Sequence, residues 1–348
     1  MVKLIIFLTD IVIAAALVAG IWGFNYLLPQ SGIQAITALP ALATEQTAKE
    51  QMAEGQAAEQ INGLMTTKVK LSGVDWHQKF AGKFTDNIVA TETSYTSPDL
   101  SIHLTYDSFE TSRLDTSEQG NHKKYGTNVS YVLADIYLGD ITCFQTGFAQ
   151  DTYGVGYSEK LSDMSARMKS ILAVNGDSYS NSRHQNNGTI IRNGVIYRAK
   201  PSDMETCVLN WDGTMKIYGP KELKVQNLID DGAYQSWIFG PSLLDENGKA
   251  KTDFLTWDYI RESHPRTAIG YYEPGHYCLL VVDGRQKDTR GMFLDEMARL
   301  FEQLGCRAAY NLDGGHCSFM TMGTQIANHP YKPKHQIEDG IFIMEGLG

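Results

Sequence analysis

The stretch YCLLVVDGR, residues 277–285, is the strongest indication of the fold. Its apolar residues follow one another without alternation, which predicts a strand buried on both faces in the interior of a sheet. The run stops abruptly at Asp283, Gly284 and Arg285. A polar, glycine-bearing turn directly after a rigid strand is typical of a loop that presents side chains to a ligand.

A helix and a second strand of the same kind follow. Apolar residues recur at helical spacing over 294–304, and Gly305 is suited to end that helix. The strand AAYNL, residues 308–312, then ends in Asp313 and two glycines. Strand, helix and strand in this order predict a βαβ unit whose two strands are parallel neighbours. Asp283 and Asp313 are then expected at one edge of the sheet.

The remaining pattern predicts an α+β fold, in which a mixed β-sheet core is flanked by helices. Alternating segments at 101–106 and 129–138 indicate strands. A helical pattern from residue 160 leads into AVNGDSY, residues 173–179, a second strand that ends in a polar loop. Tight hairpins are expected at Asn193-Gly194 and at Asp212-Gly213.

The N-terminus predicts a membrane anchor. The run IVIAAALVAGIWGFNYLL, residues 11–28, has no charge and is long enough to cross a bilayer as a helix. An A-x-A pattern at 41–43 keeps a cleaved signal peptide as the alternative. We expect a transmembrane anchor at 1–30, a polar stalk at 31–84 and a folded domain at 85–348, outside the cytoplasm at the cell membrane.

Charge and cysteine content exclude some functions. The net charge is −10 and no Lys/Arg-rich run is present, so no nucleic-acid partner is expected. The five cysteines show no C-x-x-C spacing, which argues against a zinc knuckle or a thioredoxin-like redox pair and leaves disulfide pairing open.

Several short motifs together resemble the phosphodiester glycosidase family. They are HPRTAIG (264–270), VDGR (282–285), RGMFLDEMA (290–298) and NLDGG (311–315), with NG (175–176) and FGP (239–241) upstream. The resemblance extends from about residue 125 to 345, and the ordered set is specific where one motif alone would be weak. It implies hydrolysis of a sugar-1-phosphodiester in cell-envelope or exopolysaccharide glycans.

That chemistry needs a carboxylate, an acid for the departing oxygen and cationic groups for the phosphate. The resemblance points to Asp313 and Asp283 as the paired carboxylates. The structural alternative is that each aspartate only stabilises the turn in which it lies. Arg266 is the expected phosphate clamp, since a guanidinium matches phosphate oxygens, and a buried ion pair is its alternative. Glu296 is a further catalytic candidate, although a glutamate is also favoured in the first turn of a helix.

A second set of residues is expected to contact substrate. It comprises Asn175, Gly176, Asp177, Tyr179, Arg285, Asn311, Gly314, Gly315 and His316. His316 stands where the family usually has a glycine, so we expect it to alter the leaving-group or sugar preference by acting as an added donor.

Two other functions remain as alternatives at this stage. The His316 substitution makes a non-catalytic envelope glycan-binding protein possible. A metal-dependent phosphodiesterase would use Asp283 and Asp313 as ligands, but no H-x-H or H-E-x-x-H cluster is present. No cofactor is expected, with a divalent metal left open. The sequence also leaves open the sugar, the stereochemical course and the oligomeric state.

Overall fold

The computed structural model describes residues 12–19, 32–35, 60–61, 63–114 and 126–346. Residues 12–19 are helical and their side chains are exposed. Most of the predicted membrane anchor at 1–30, and residues 36–59 of the predicted stalk at 31–84, lie outside the described residues. Within the described ranges, no helix combines the length and the apolar character needed to span a membrane.

The larger sheet has seven strands paired antiparallel throughout. Numbered in chain order and given in spatial order, they are β18 (Ala308–Asn311), β16 (Arg266–Glu273), β17 (His276–Val282), β7 (Asn128–Leu138), β6 (Leu100–Glu110), β5 (Ser94–Thr96) and β4 (Val89–Ala90). β17 has a partner on each side and is buried from Tyr277 to Val282. The predicted interior strand is therefore confirmed.

The prediction that β17 and β18 are neighbours is wrong, because β16 lies between them. Arg266 pairs with Val282 on one side, and Ala268 pairs with Asn311 on the other. The tight turn after β16 joins it to β17 as a hairpin, and the following helix carries the chain past β16 to its far side. β17 and β18 still run parallel to each other, so both end at the edge where β16 begins.

A second sheet of five antiparallel strands packs beside the first. Its strands are β20 (Gln325–Ile326), β19 (Met320–Met322), β10 (Leu172–Asn175), β21 (Asp339–Ile343) and β8 (Phe144–Phe148). The strand predicted before the second polar loop is β10, between β19 and β21. Mixed α and β structure is confirmed, with antiparallel rather than mixed sheets.

Smaller elements complete the described structure. The strands are β1 (Ile33–Gln34), β2 (Gln60–Ile61), β3 (Leu64–Met65), β9 (Thr152–Tyr153), β11 (Thr189–Arg192), β12 (Val195–Ala199), β13 (Thr206–Asn210), β14 (Met215–Tyr218) and β15 (Ala233–Trp237). The helices are α1 (Trp76–Lys79), α2 (Leu161–Met168), α3 (Val225–Asp231), α4 (Asp258–Arg261) and α5 (Leu294–Gln303). Both predicted hairpins form, as β11–β12 and β13–β14.

Alternate residues of β17 enter two different cores. Leu279 and Val281 belong to the apolar cluster between the two large sheets, whereas Leu280 and Val282 pack under α5. Burial on both faces explains why this strand shows no alternation in sequence. Trp76 on α1 also lies in the cluster between the sheets, so the packed domain begins before the boundary at residue 85. α1 was not predicted from the sequence, because a helix of four residues is too short to show a periodic pattern.

A buried ion network joins the hairpin β11–β12 to the five-stranded sheet. Arg192, Asp339 and Asp177 are each at most 2% exposed. The Arg192 Nε donates to Asp339 Oδ2 at 3.0 Å, and its Nη2 also donates to that oxygen and lies 3.6 Å from Asp177 Oδ2. Burial raises the pKa of both carboxyl groups, and the guanidinium opposes that rise.

We predict that Arg192→Met lowers the free energy of unfolding by about 3–5 kcal/mol, because it leaves two carboxyl groups buried without their cation. Denaturant unfolding followed by circular dichroism measures this value. The matched control is Lys221→Met, which removes an ion pair with Asp203 whose side chains are 79% and 81% exposed, and should cost at most about 1 kcal/mol. Equal losses in the two variants would contradict a central role for Arg192.

Candidate active site

An open pocket of about 500 Å³ lies where β18 ends and β21 begins. Its lining residues are Gly156, Tyr157, Ser158, Ser180, Asp313, Cys317, Lys334, His335, Gln336, Ile337 and Glu338. Two half-buried carboxyl groups, those of Asp313 and Glu338, share this pocket. One of them was predicted from the sequence and the other was not.

The loop after β10 positions Asp313. Its backbone N–H donates to the Gly176 carbonyl at 3.1 Å, and its own carbonyl accepts from Asn175 Nδ2 at 2.7 Å. The carboxylate accepts the Gly314 N–H at 2.8 Å and a hydrogen bond from the Cys317 thiol. Asp313 is therefore held from both its backbone and its side chain.

The two carboxyl groups differ in acidity. Burial raises the pKa of Asp313 to about 6, with a smaller contribution from Asp339, while the Cys317 and Gly314 hydrogen bonds oppose the rise. Burial raises the pKa of Glu338 to about 8; Ser180 opposes this rise, and the charges of Asp313 and Asp339 add to it. At pH 7 Asp313 is mainly ionised and Glu338 mainly protonated. Two carboxyl groups separated in this way can act as a base or nucleophile and an acid.

Asp283 does not join Asp313 in the pocket. Its side chain is 3% exposed and accepts from Asn328 Nδ2 at 3.0 Å and from the His329 N–H at 2.8 Å. The two aspartates follow strands separated by β16, which places them about 10 Å apart across the sheet. The predicted pairing was wrong: Asp283 instead anchors the chain segment that follows β20.

The phosphate-clamp role predicted for Arg266 does not fit its surroundings. The side chain is 2% exposed, and the guanidinium donates to the backbone carbonyls of Met292, Ile260 and Glu262. Arg266 thus holds the loops beside the start of β16. A guanidinium used in this way is a structural tie to backbone carbonyls.

Glu296 is also structural. Its carboxylate accepts from Arg290 Nη1 at 3.0 Å and Nη2 at 2.7 Å, and from the Phe293 N–H at 3.0 Å. The last contact satisfies a free amide at the start of α5. Helix capping and a buried ion pair account for the residue, so the catalytic role predicted for it is not supported.

Four predicted substrate contacts are structural supports of the pocket. Asn175 Oδ1 accepts from Thr267 Oγ1 at 2.6 Å and from the Phe319 N–H at 3.2 Å, so both ends of its amide are occupied. A Cβ at Gly176 would collide with Asp339 Oδ1. Asp177 accepts the Ile238 and Phe239 N–H groups, Tyr179 stacks on Tyr153, and both are buried.

Asn311 is a further internal support. It is completely buried, and its Nδ2 donates to the Gly240 carbonyl at 2.7 Å. This bond joins the last residue of β18 to the segment that covers the outer side of that strand. Asn311 therefore places the loop that carries Asp313, and the direct substrate contact predicted for it is not supported.

Gly314, Gly315 and His316 follow Asp313 in the chain but are not among the residues that line the pocket. Gly315 has φ +67° and donates its N–H to the Pro265 carbonyl at 2.9 Å, and a Cβ on Gly314 would lie 2.8 Å from that oxygen. Arg285 lies against Gly315, and its Nη2 donates to His264 Nδ1 at 3.0 Å. Close approach to a backbone carbonyl therefore requires a glycine at 314, and the left-handed φ favours one at 315.

His316 is a neutral ring at neutral pH. Burial and then the charges of Lys332, Arg285 and His335 lower its pKa to about 4. Its ring centroid lies 5.4 Å from that of Tyr331 and 5.4 Å from that of His335. His316 therefore offers an aromatic surface and a single N–H, and its predicted contact with substrate stays a prediction.

Sequence reasoning missed Glu338. The residue lies at the end of an irregular connection between β20 and β21, outside all of the recognised motifs. A weak signal was available, because the acidic pair Glu338-Asp339 directly precedes the apolar strand β21. In the described residues, no group of three or more His, Cys, Asp and Glu side chains is arranged to hold a metal ion.

Comparison with known proteins supports the sequence resemblance. Residues 168–344 match the family model for phosphodiester glycosidases. The chain is 33% identical over 193 residues to the SPbeta prophage-derived uncharacterized protein YomE of Bacillus subtilis (strain 168). That alignment covers 54% of this chain and only 29% of the relative.

The described structure is also similar to a solved catalytic domain. This is zebrafish N-acetylglucosamine-1-phosphodiester alpha-N-acetylglucosaminidase, auto-inhibited by its pro-peptide. The TM-score is 0.55 at 21% identity, over 74% of this chain and 88% of the zebrafish one. At this identity the similarity shows the fold alone.

The electrostatic coupling of the pocket predicts that Asp313→Asn lowers the pKa of Glu338, because it removes a negative charge that disfavours a second one. Carboxyl-carbon NMR titration of glutamate-labelled protein measures the shift. The control is Asp288→Asn, an exposed residue outside the pocket, which should leave Glu338 unchanged. Identical Glu338 titrations in the native protein and Asp313→Asn would contradict a shared pocket.

Proposed function

Because the chain belongs to the phosphodiester glycosidase family, we propose that it is a hydrolase that cleaves the C–O glycosidic bond of a sugar-1-phosphodiester. The products are the free sugar and a phosphomonoester on the former partner alcohol. The observation that carries the proposal is one open pocket with two carboxyl groups whose pKa values lie on either side of neutrality.

In this mechanism Glu338 is the general acid. Its proton passes to the bridging oxygen as the bond from that oxygen to the anomeric carbon breaks, so the phosphate leaves as a monoester. Burial favours the protonated form of Glu338 at neutral pH, which is the form needed. The Ser180 N–H donates to Glu338 Oε2 at 2.9 Å and orients the carboxyl group.

Asp313 supplies the second carboxylate. It either removes a proton from the attacking water or attacks the anomeric carbon itself, and both routes require the ionised form present at pH 7. Cys317 serves Asp313 as a hydrogen-bond donor. Burial and the neighbouring Asp313 raise the pKa of its thiol well above the usual range, which does not suit a nucleophile.

We also propose that the substrate belongs to cell-envelope or exopolysaccharide glycans and that the domain acts outside the cytoplasm. The uncharged run at 11–28 and the Ala-, Glu- and Gln-rich segment at 44–60 support a membrane anchor with a stalk. The whole relative in Bacillus subtilis is much longer than the shared segment, so its activity is no guide to substrate.

The bond that breaks can be identified with isotopically labelled water. Hydrolysis of N-acetylglucosamine 1-(methyl phosphate) in H₂¹⁸O should place the label in the sugar, because water attacks carbon. Mass spectrometry of both products measures its position. Label in the phosphate would show P–O cleavage and overturn the mechanism.

The two carboxyl groups are tested by isosteric variants. Asp313→Asn and Glu338→Gln should each lower kcat by roughly 10²–10⁴-fold, the usual contribution of acid–base groups. Release of sugar from the same diester gives kcat. The control Glu246→Gln changes an exposed carboxylate outside the pocket and should retain full activity. Full activity in either pocket variant would refute its assignment.

The pH dependence follows from the two raised pKa values. Activity, as kcat/KM, should rise as Asp313 loses its proton near pH 6 and fall as Glu338 loses its proton near pH 8. Glu338→Gln should lose the alkaline fall, because the group that titrates there is gone. Persistence of that fall in the variant would assign it to another residue.

A further inference from the structure

A strip of basic and aromatic side chains continues outward from the pocket. It consists of Arg285, His316, Tyr331, Lys332, Lys334 and His335, here called the basic strip. Lys334 and His335 line the pocket, whereas Lys332 does not. The Lys332 ammonium lies 5.8 Å from the Tyr331 ring centroid, and the Arg285 guanidinium lies 5.9 Å from it.

The positive charge of the strip is concentrated on a protein whose net charge is −10. Its cations lower the pKa of the neighbouring imidazoles. Lys332 and Arg285 lower the pKa of His316, and Lys332 lowers that of His335, although burial is the larger cause in both cases. An anion is attracted to such a strip and repelled by an acidic surface elsewhere. Lys332 and Lys334 are exposed, so their ammonium groups can reach a ligand.

The strip also follows the direction in which a substrate would extend. Residues 331–335 lie three to seven positions before Glu338, the proposed donor to the departing phosphate oxygen. The pocket residues Tyr157, Ser158 and Ser180 carry hydroxyl groups without charge, which suit a neutral sugar. The scissile phosphate can pair with Lys334, the lysine that lines the pocket. Lys332 lies outside the pocket lining and is exposed, so it can contact further negative charge on the ligand.

We infer that the basic strip binds the alcohol portion of the substrate, and that this portion is itself anionic: a phosphorylated polyol or a chain of polyol phosphate units. The inference rests on the proposed function for the direction of the substrate, but the binding of the anionic chain does not require turnover. Tyr331 supplies the aromatic ring over which the Arg285 and Lys332 cations lie.

Binding can be measured without hydrolysis in full-length Asp313→Asn protein. The probe is a poly(glycerol phosphate) oligomer, compared by isothermal titration calorimetry with a neutral oligosaccharide of similar length. The oligomer should bind at least tenfold more tightly, and the preference should shrink as salt is raised. Adding Lys332→Met and Lys334→Met should weaken its binding by roughly tenfold. The control pair Lys216→Met and Lys224→Met removes the same charge elsewhere and should leave binding of the oligomer unchanged.

Equal affinity for the two probes, or equal loss in the two double variants, would overturn the inference. Equally tight binding of a single-stranded oligonucleotide of the same charge would overturn the choice of a polyol. If the native protein hydrolyses no sugar-1-phosphodiester while the oligomer still binds through Lys332 and Lys334, the proposed function fails and the strip stands. If the native protein hydrolyses the diester but shows no preference for an anionic alcohol, the proposed function stands and the inference about the basic strip fails.

Discussion

The buried contact between Arg192 and Asp339 is the constraint on which the site depends. Charges removed from water are tolerated only when every polar atom around them is satisfied, so such a contact admits little movement. Asp339 also accepts the Asp177 N–H through its other oxygen at 2.6 Å, which fixes the loop carrying Asn175 and Gly176. That loop holds the backbone of Asp313, and Glu338 directly precedes Asp339. The positions of both carboxyl groups in the pocket are therefore fixed by one ion network.

The sheets supply the second half of this arrangement. Three strands of the larger sheet meet at one edge, where β17 and β18 end and β16 begins. The five-stranded sheet brings the end of β10 and the start of β21 to the same place, and the Asn175–Asp313 hydrogen bond joins the two edges. A pocket made from strand ends is rigid, because each loop is held at its root by a paired strand.

Local pattern was enough to predict much of the fold. The uninterrupted apolar run predicted the interior strand β17, and two glycine-containing turns predicted two hairpins, since these features depend on neighbours in sequence. The order of β16, β17 and β18 was not predicted, because a strand–helix–strand pattern does not indicate whether a third strand lies between the other two. Asp313 was found because its motif lies at a strand end.

The roles of the other polar residues could not be read from the sequence. Asp283 and Arg266 have residue types suited to catalysis, but both are buried and form hydrogen bonds with structural partners, such as Asn328 for Asp283 and the Met292 carbonyl for Arg266. Glu338 is the opposite case: no motif marks it in the sequence, but long-range packing places it in the pocket. Whether a side chain faces substrate is decided by which tertiary contacts occupy it.

The connection between β20 and β21 is pinned at two places. His329 is tied to Asp283, and Ile337 exchanges backbone hydrogen bonds with Glu159 at 2.8 and 3.0 Å. The residues between these anchors, 330–336, are outside the regular strands and contribute Lys334, His335 and Gln336 to the pocket wall. Insertions or exchanges there would leave the two sheets intact. A lineage with this fold can therefore change the wall of the pocket by replacing one short surface segment, while Asp313 and Glu338 keep their positions.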